Sequence, residues 1–158
     1  METVERATGK RLLQLLSEEI WQPAGMEADA CMTIDSAGFA LADGGLNACL
    51  RDYGRFGLMI LDHGGGIVPS AWIEAARTGE HGPQYWSILP QGSYKNQFWL
   101  DDPQSRTLMC VGVFGQMIWI SWEHRMVVVK LSTWPDFTDT AKERATVAAM
   151  HRIAETLA

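Results

Sequence analysis

The sequence predicts an α+β fold, in which helices flank an antiparallel sheet. One observation is the order of the patterns: helical periodicity first, then three or four strand-like runs, then a final helix that would cover one sheet face. The other is the stretch 106–132, where apolar and β-branched residues form three short runs. The charged corner 123–125 is short enough to join the last two runs as an antiparallel hairpin.

The first helices are predicted where apolar residues recur three or four positions apart. Segments 4–7 and 10–21 fit this spacing, and Thr8-Gly9 between them is a helix stop. A third helix follows Asn47, which can cap it, and glycines after His63 end it. The predicted buried stripe of this third helix is Leu46, Leu50, Tyr53, Gly57 and Ile60.

Two more helices and one strand complete the predicted elements. Pro69-Ser70 opens a short helix to about Arg77, and the capping-box pattern 140–143 opens the last helix. Residues 26–45 are predicted to be loop, and 94–100 a single strand. The residues predicted to face inward are Trp72, Ile73 and Ala76 in the short helix, and Val147, Met150, Ile153 and Leu157 in the last.

Composition and charge limit the classes of partner. With 158 residues, 47% of them hydrophobic and 20% charged, the chain has the length and composition of one soluble globular domain. A net charge of −6 argues against nucleic acid or an anionic membrane as a partner. No apolar run is long enough to cross a bilayer. The acidic N-terminus does not resemble a signal peptide, so the cytoplasm is the default location.

Cysteine and histidine spacing predicts neither a metal site nor a cofactor. The three cysteines are an odd number without C-x-x-C spacing, which favours buried, reduced thiols over a disulfide plus a spare. The four histidines are scattered singly and form no H-x-x-x-H or H-E-x-x-H pattern. The charged pairs Asp52 with Arg55 and Glu74 with Arg77 are interpreted as surface helix pairs rather than acid–base groups.

Residues 112–116, here called the glycine loop, are the first candidate for a functional site. Two glycines so close inside a strand-like pattern predict a bulge, or a backbone that another group approaches closely. From this pattern alone, a structural bulge is the preferred interpretation. Aromatic residues could line an apolar pocket, although core packing is preferred for any single one. Those residues are Tyr85, Trp86, Tyr94, Trp99, Phe114 and Trp134, of which the loop residues Tyr85 and Trp86 are the better candidates.

Four stretches, taken together and in this order, carry a family resemblance. They are Glu5 to Gly9 continuing through Ile20-Trp21-Gln22-Pro23, then Gly44-Gly45-Leu46 followed by Arg51 to Gly57, then Tyr94 to Trp99, and last Gly112 to Gln116. They resemble the serine β-lactamase-like and penicillin-binding-protein-like hydrolases, above all the branch with esterases, class C-like enzymes and 6-aminohexanoate-dimer hydrolases. The likeness extends over nearly the whole chain but covers only the C-terminal portion of that family's fold.

The resemblance implies a role for the glycine loop in acyl transfer. The loop is similar to the glycine-rich third motif of the nylon-oligomer branch, which implies that the Val113 N–H, next to Gly112, is one oxyanion donor. It also implies that Phe114 and Gly115 contact substrate, together with Tyr85 and Trp86. The implied substrate is a small-molecule amide, lactam or ester that reacts through an acyl-serine intermediate.

Two departures from the family pattern limit this interpretation. No serine is followed by lysine three positions on, so the Ser-x-x-Lys nucleophile motif is absent from the sequence. The triplet Tyr94-Lys95-Asn96 matches the second motif literally, but it comes after the Gly-Gly-Leu helix, whereas the family motif precedes that region. It is therefore interpreted as a chance match.

The expected organisation is a single partial domain over residues 1–158, without its N-terminal portion and inactive alone. Two alternatives remain: a non-catalytic remnant or binding module, and a subunit that completes its active site with a separate N-terminal chain. Self-association is also expected, through an unpaired strand edge and exposed apolar surface on the last helix.

Overall fold

The computed structural model describes residues 2–42, 44–78, 89, 92–101 and 107–157, which divide into two compact units, Met1–Phe56 and Gly57–Ala158. The helices are α1 (Glu2–Thr8), α2 (Leu12–Leu16), α3 (Leu50–Leu61), α4 (Ser70–Thr78) and α5 (Thr140–Leu157). The strands are β1 (Cys31–Met32), β2 (Leu46–Asn47), β3 (Ser93–Lys95), β4 (Phe98–Leu100), β5 (Thr107–Val111), β6 (Met117–Ser121) and β7 (Met126–Lys130). No helix among the described residues is long and apolar enough to cross a membrane.

The first unit contains α1, α2 and a short two-stranded sheet. A π-helical turn, Ser17–Trp21, extends α2, so the predicted helix over 10–21 is found with an irregular second half. The predicted loop over 26–45 is partly wrong, because β1 pairs antiparallel with β2. Asn47 belongs to β2 and does not cap α3, which begins at Leu50.

The Asp52 side chain of the first unit accepts several hydrogen bonds. It is completely buried and accepts hydrogen bonds from the backbone N–H of Glu27 and Ala28, from the Cys49 thiol and from Arg55. Burial acts to raise the pKa of Asp52, but these donors outweigh it and hold that pKa below its usual range. The predicted pair with Arg55 is found at 3.0 Å, but Asp52 is not on the surface, since this buried carboxylate connects the chain at Glu27 to the first turn of α3.

The second unit is built on a five-stranded antiparallel sheet in the order β3-β4-β5-β6-β7. Residues 117–121 and 126–130 form the predicted hairpin, and the last helix covers one sheet face, as predicted. The predicted single strand over 94–100 is instead a hairpin. The core cluster between sheet and helix consists of Leu89, Met109, Met117, Trp119, Val147, Met150 and Ala154.

The buried stripes of the helices differ in detail from the prediction. In α5, Val147 and Met150 are buried but Ile153 is 46% and Leu157 74% exposed, because Ala154 completes the stripe one turn beyond Met150. Leu50 and Trp72 are also exposed, whereas Ile60, Ile73 and Ala76 are buried as predicted. The predicted pair of Glu74 with Arg77 is found at 2.9 Å, but Arg77 is not on the surface, since it is buried with its guanidinium 4.0 Å from the Trp122 ring centre.

The start of α5 carries a buried carboxyl group. The predicted capping box over 140–143 is wrong, because Thr140 is already the first residue of the helix and the cap is Asp139, whose Oδ1 accepts a 3.0 Å hydrogen bond from the Lys142 N–H. Glu143 is 3% exposed, and its Oε2 has no hydrogen-bond partner among the described residues. Burial, with a smaller contribution from the Asp139 charge, raises the pKa of Glu143 above its usual range.

The three cysteines are free thiols, as predicted, but they are not all buried. Cys31 is exposed, and Cys49 and Cys110 are half-buried. Loss of solvent around the sulfur raises the pKa of the Cys110 thiol to about 12, so this thiol is un-ionised at neutral pH.

Candidate active site

The glycine loop joins two neighbouring antiparallel strands. Val111 at the end of β5 pairs with Met117 at the start of β6, and the Gly112 N–H donates a 2.9 Å hydrogen bond to the Gln116 carbonyl. Residues Val113–Gly115 between them form one 3₁₀ turn. The prediction of a bulge is therefore wrong, since the two glycines lie in a hairpin connection. The other prediction, that a group closely approaches this backbone, holds for Gly115.

Position 115 is the place in the loop where only glycine fits. Its φ is +84°, a conformation that side chains oppose. A Cβ atom there would lie 2.4 Å from Cε2 of Trp134 and 2.6 Å from Oγ of Ser132. The indole of Trp134 thus packs directly on the Gly115 backbone, in the space that a side chain would need.

A second segment, residues 130–137, holds the loop in place and is called here the clamp segment. The Lys130 ammonium donates to the Gly115 carbonyl at 2.8 Å and to Oγ of Ser132 at 2.7 Å. The Ser132 hydroxyl lies 2.9 Å from both the Phe114 and the Gly115 carbonyl oxygens. Two consecutive carbonyl groups of the loop are thereby fixed by side chains that start at the end of β7.

Backbone bonds complete the attachment. The Phe114 N–H donates to the Phe137 carbonyl at 2.9 Å, and the Trp134 N–H donates to the Phe114 carbonyl at 3.2 Å. The Gln116 side-chain amide pairs with the Ser132 backbone, donating to its carbonyl and accepting its N–H at 3.1 Å. These contacts support the left-handed conformation of Phe114, whose φ is +55°.

The Val113 N–H is left free by this arrangement. Gly112, Phe114 and Gln116 each donate their N–H to a carbonyl, but the Val113 N–H has no acceptor among the described residues. Val113 is also 41% exposed. A rigid backbone with an unpaired N–H in a partly exposed residue can donate a hydrogen bond to a negatively charged oxygen of a bound molecule.

The other predicted site residues are partly found at this loop. Phe114 is 41% exposed, and its ring packs edge-on against Phe137 with the ring centres 5.8 Å apart. Gly115 is buried under Trp134 and cannot itself offer a side-chain contact. Tyr85 and Trp86, the predicted substrate-binding residues of the preceding loop, lie outside the described residues.

Tyr94 belongs to a local structure of its own. It precedes the two-residue turn Asn96-Gln97, in which both residues have positive φ, 51° and 69°. Its hydroxyl donates to Oε1 of Gln97 at 2.7 Å, and its ring lies 4.6 Å from that of Trp99 on the paired strand. These contacts account for Tyr94 and Asn96 through the geometry of the hairpin, which agrees with a chance match to Tyr-x-Asn.

Lys130 and Ser132 are the site residues that sequence reasoning missed. Their Lys-x-Ser spacing puts both side chains on the same face of an extended chain, and this alternation is the available signal. Loss of solvent lowers the pKa of Lys130, whose ammonium lies 4.3 Å from the Trp134 ring centre. The Ser132 hydroxyl is directed at two carbonyl oxygens, so the pair has the geometry of a structural clamp rather than of a nucleophile with its base.

Comparisons with known proteins show which family the chain belongs to. A family model described as Beta-lactamase matches residues 1–151. The chain belongs to the beta-lactamase family. Relatives of this beta-lactamase-family chain include a 6-aminohexanoate-dimer hydrolase from Paenarthrobacter ureafaciens, 35% identical over 144 residues, which are 84% of this chain and 36% of that protein. A solved structure from Bacillus anthracis, assigned as a 6-aminohexanoate-dimer hydrolase, superposes with a TM-score of 0.83 at 28% identity.

These matches confirm the predicted family and the predicted fold class. The superposition covers 98% of this chain and 40% of the Bacillus anthracis chain. The chain thus spans well under half the length of both relatives. Among the described residues, no group of three or more His, Cys, Asp or Glu side chains is arranged to hold a metal ion.

Proposed function

We propose that this chain supplies the oxyanion-binding loop of a serine hydrolase of the beta-lactamase family. The observation that carries the proposal is the free Val113 N–H on a loop whose neighbouring N–H and carbonyl groups are tied down. The substrate would be a small-molecule amide, lactam or ester, a class that includes the dimer named in the relative from Paenarthrobacter ureafaciens.

Attack of a serine on an amide, lactam or ester requires a hydrogen-bond donor of this kind. When a serine attacks a carbonyl carbon, the carbonyl oxygen becomes an oxyanion, and preorganised N–H donors stabilise it more than they stabilise the ground state. Val113 would be one donor. The second donor and the attacking oxygen would both come from the serine of a Ser-x-x-Lys motif, which this sequence does not contain.

The chain by itself is therefore expected to show no turnover of chromogenic β-lactams or p-nitrophenyl esters above background. An oxyanion donor has no attacking atom to serve unless a serine with a base beside it is present. Saturable turnover by the chain alone, abolished by one Ser→Ala change, would overturn this expectation. The same assay on the chain fused to the Ser-x-x-Lys portion of a related hydrolase would separate the hydrolase from a binding module that holds ligand without converting it.

Replacing Val113 by proline tests the donor in a chain fused to the Ser-x-x-Lys portion of a related hydrolase. Proline removes the N–H but no internal hydrogen bond of the described structure. The preceding Gly112, with φ −115° and ψ 165°, already has the extended conformation that proline requires before it. Loss of one oxyanion donor predicts a fall in kcat of ~10²–10³.

Val113→Ala and Val113→Ile are the matched controls, since both keep the N–H and should leave kcat nearly unchanged. A Val113→Pro enzyme with an unchanged melting curve and full activity would show that the loop is only a hairpin connection. The proposed site would then be wrong.

A second arrangement, in which a separate N-terminal chain completes the site, has one supporting observation. The apolar side chains of Ile153 and Leu157 on α5 are 46% and 74% exposed. Exposed apolar surface is often covered by another chain. Activity that appears only when the purified chain is mixed with a separately expressed Ser-x-x-Lys portion would support this arrangement. Self-association detected by light scattering would support a second copy instead.

A further inference from the structure

We infer that Lys130 and Ser132 are positioning residues that fix the direction of the Val113 N–H. The inference rests on the proposed role of Val113 as an oxyanion donor. Neither residue is expected to touch the substrate. Their effect would be transmitted through the carbonyl groups of Phe114 and Gly115, which they hold from the side of the clamp segment.

The hydrogen bonds of the clamp converge on these two carbonyl oxygens. Gly115 O accepts from the Lys130 ammonium, Phe114 O accepts from the Trp134 N–H, and the single proton of the Ser132 hydroxyl is shared between these two oxygens. Each peptide group is planar, so fixing a carbonyl oxygen also fixes the N–H of the following residue. The peptide planes that follow Phe114 and Gly115 are therefore both held by atoms outside the loop.

The turn next to these planes is short, so little freedom remains at Val113. The Gly112 N–H is bonded to the Gln116 carbonyl, and the Phe114 N–H to the Phe137 carbonyl. The Val113 N–H lies between these two fixed amides, so it can turn only if ψ of Gly112 and φ of Val113 change together. A loop held in this way keeps its free N–H pointing in one direction before substrate arrives, which is the condition for effective oxyanion stabilisation.

Lys130 suits this role because of its surroundings. Its ammonium lies over the Trp134 ring and donates both to Ser132 of the clamp segment and to the Gly115 carbonyl of the glycine loop, so it connects the two segments. A charged donor makes a stronger hydrogen bond to a carbonyl than a neutral one does. Lys142 provides an internal comparison, since its ammonium is 5.8 Å from the same ring centre but bonds to Asp139 and to no loop carbonyl.

The test uses the fused enzyme described for Val113 and measures kcat, KM and the melting temperature of four variants. Lys130→Met keeps the length of the side chain but removes the donor, and Ser132→Ala removes the hydroxyl that Ser132→Thr retains. Lys142→Met is the matched control. A small misorientation of a catalytic group costs up to ~10²-fold in rate, so we expect kcat to fall about 10- to 100-fold in Lys130→Met with KM unchanged. The kcat of Ser132→Ala should fall less, and the kcat values of Ser132→Thr and Lys142→Met should stay near that of the parent enzyme.

The outcomes separate this inference from the proposed function. If Val113→Pro loses activity while folded Lys130→Met and Ser132→Ala keep the parent kcat, the positioning role is wrong and the oxyanion role stands. If Val113→Pro keeps its activity, the proposed function fails first. If Lys130→Met does not fold, the comparison of Ser132→Ala with Ser132→Thr decides: equal kcat values overturn the inference. A rise in KM as large as the fall in kcat, or an equal loss in Lys142→Met, overturns it as well.

Discussion

Two hairpin connections of the same sheet use similar backbone conformations but are held in different ways. The turn Asn96-Gln97 has two consecutive positive φ values, and so does the pair Phe114-Gly115. The first is stabilised by Tyr94 and Trp99, only a few residues away. The second is held by Lys130 and the rest of the clamp segment, fifteen or more residues further along the chain.

The two connections also match family motifs to different degrees. Tyr94-Lys95-Asn96 matches a catalytic motif letter by letter, yet its residues are explained by the needs of a two-residue turn. The glycine loop matches its motif loosely, yet distant residues hold it so that one N–H remains free. If Val113 has its proposed role, the contacts that hold a segment indicate its function better than a literal motif match does.

The largest effect is expected for Gly115→Ala. The new methyl group would meet Trp134 at 2.4 Å in a conformation with φ +84°. Backbone strain and overpacking each cost about 1–3 kcal/mol, so the free energy of unfolding should fall by roughly 2–6 kcal/mol. Asn96→Ala, at a similar φ in the local turn, should cost only about 1–2 kcal/mol. Urea unfolding of both variants makes the comparison, and equal losses would show that the clamp adds no constraint.

Two glycine substitutions should change the free energy of unfolding by smaller amounts and in opposite directions from each other. Gln97→Gly places glycine at φ 69° in a turn of the Asn-Gly type, and should raise the free energy of unfolding by about 0.5 kcal/mol. Phe114→Gly also relieves a positive φ but removes the edge-on contact with Phe137, an aromatic pair worth about 0.5–1.5 kcal/mol beyond burial. It should therefore destabilise. If both variants are stabilised, Phe114 is held by its turn alone, like Gln97.

The smallest effect is expected for Tyr94→Phe in the fused enzyme. The change removes one exposed hydrogen bond to Gln97 and leaves the ring contact with Trp99 in place. We therefore expect kcat and KM to stay at the parent values. A tenfold or greater fall in kcat, with an unchanged melting curve, would instead make Tyr94 the catalytic tyrosine of the second motif.

Much of the fold could be predicted because its elements have strong local signals. The hairpin around the corner 123–125 and the helices at 50–61 and 140–157 follow from apolar periodicity alone. Weak signals explain the misses. Strands of two residues, such as β1, have no periodicity to detect, and Asn96-Gln97 lacks the glycine that usually marks such a turn.

The site could be predicted only in part, for a physical reason. The glycine pattern located the loop, because glycine is needed where the chain turns under a packed side chain. The clamp consists of hydrogen bonds between residues far apart in the chain, and one sequence contains no record of such pairings. Asp52 and Arg77 were misjudged for the same reason, since their burial depends on neighbours outside their own helices.

The buried carboxyl group of Glu143 couples folding to the uptake of a proton. Its pKa in the folded chain is raised, so between the ordinary glutamate pKa and this higher value the folded chain binds a proton that the unfolded chain has released. The stability contributed by this group is complete below the ordinary pKa and is lost as the pH rises through the folded pKa. Asp52, with its lowered pKa, has the opposite dependence.

Mild acid should therefore increase the contribution of Glu143 to the free energy of unfolding, whereas acid weakens most proteins. Glu143→Gln mimics the protonated side chain and should flatten the change of the urea midpoint with pH over this interval. An unchanged pH dependence would show that the pKa of Glu143 is not raised in the folded chain. If the pKa is raised, the first turn of α5 takes up a proton at Glu143 when the chain folds.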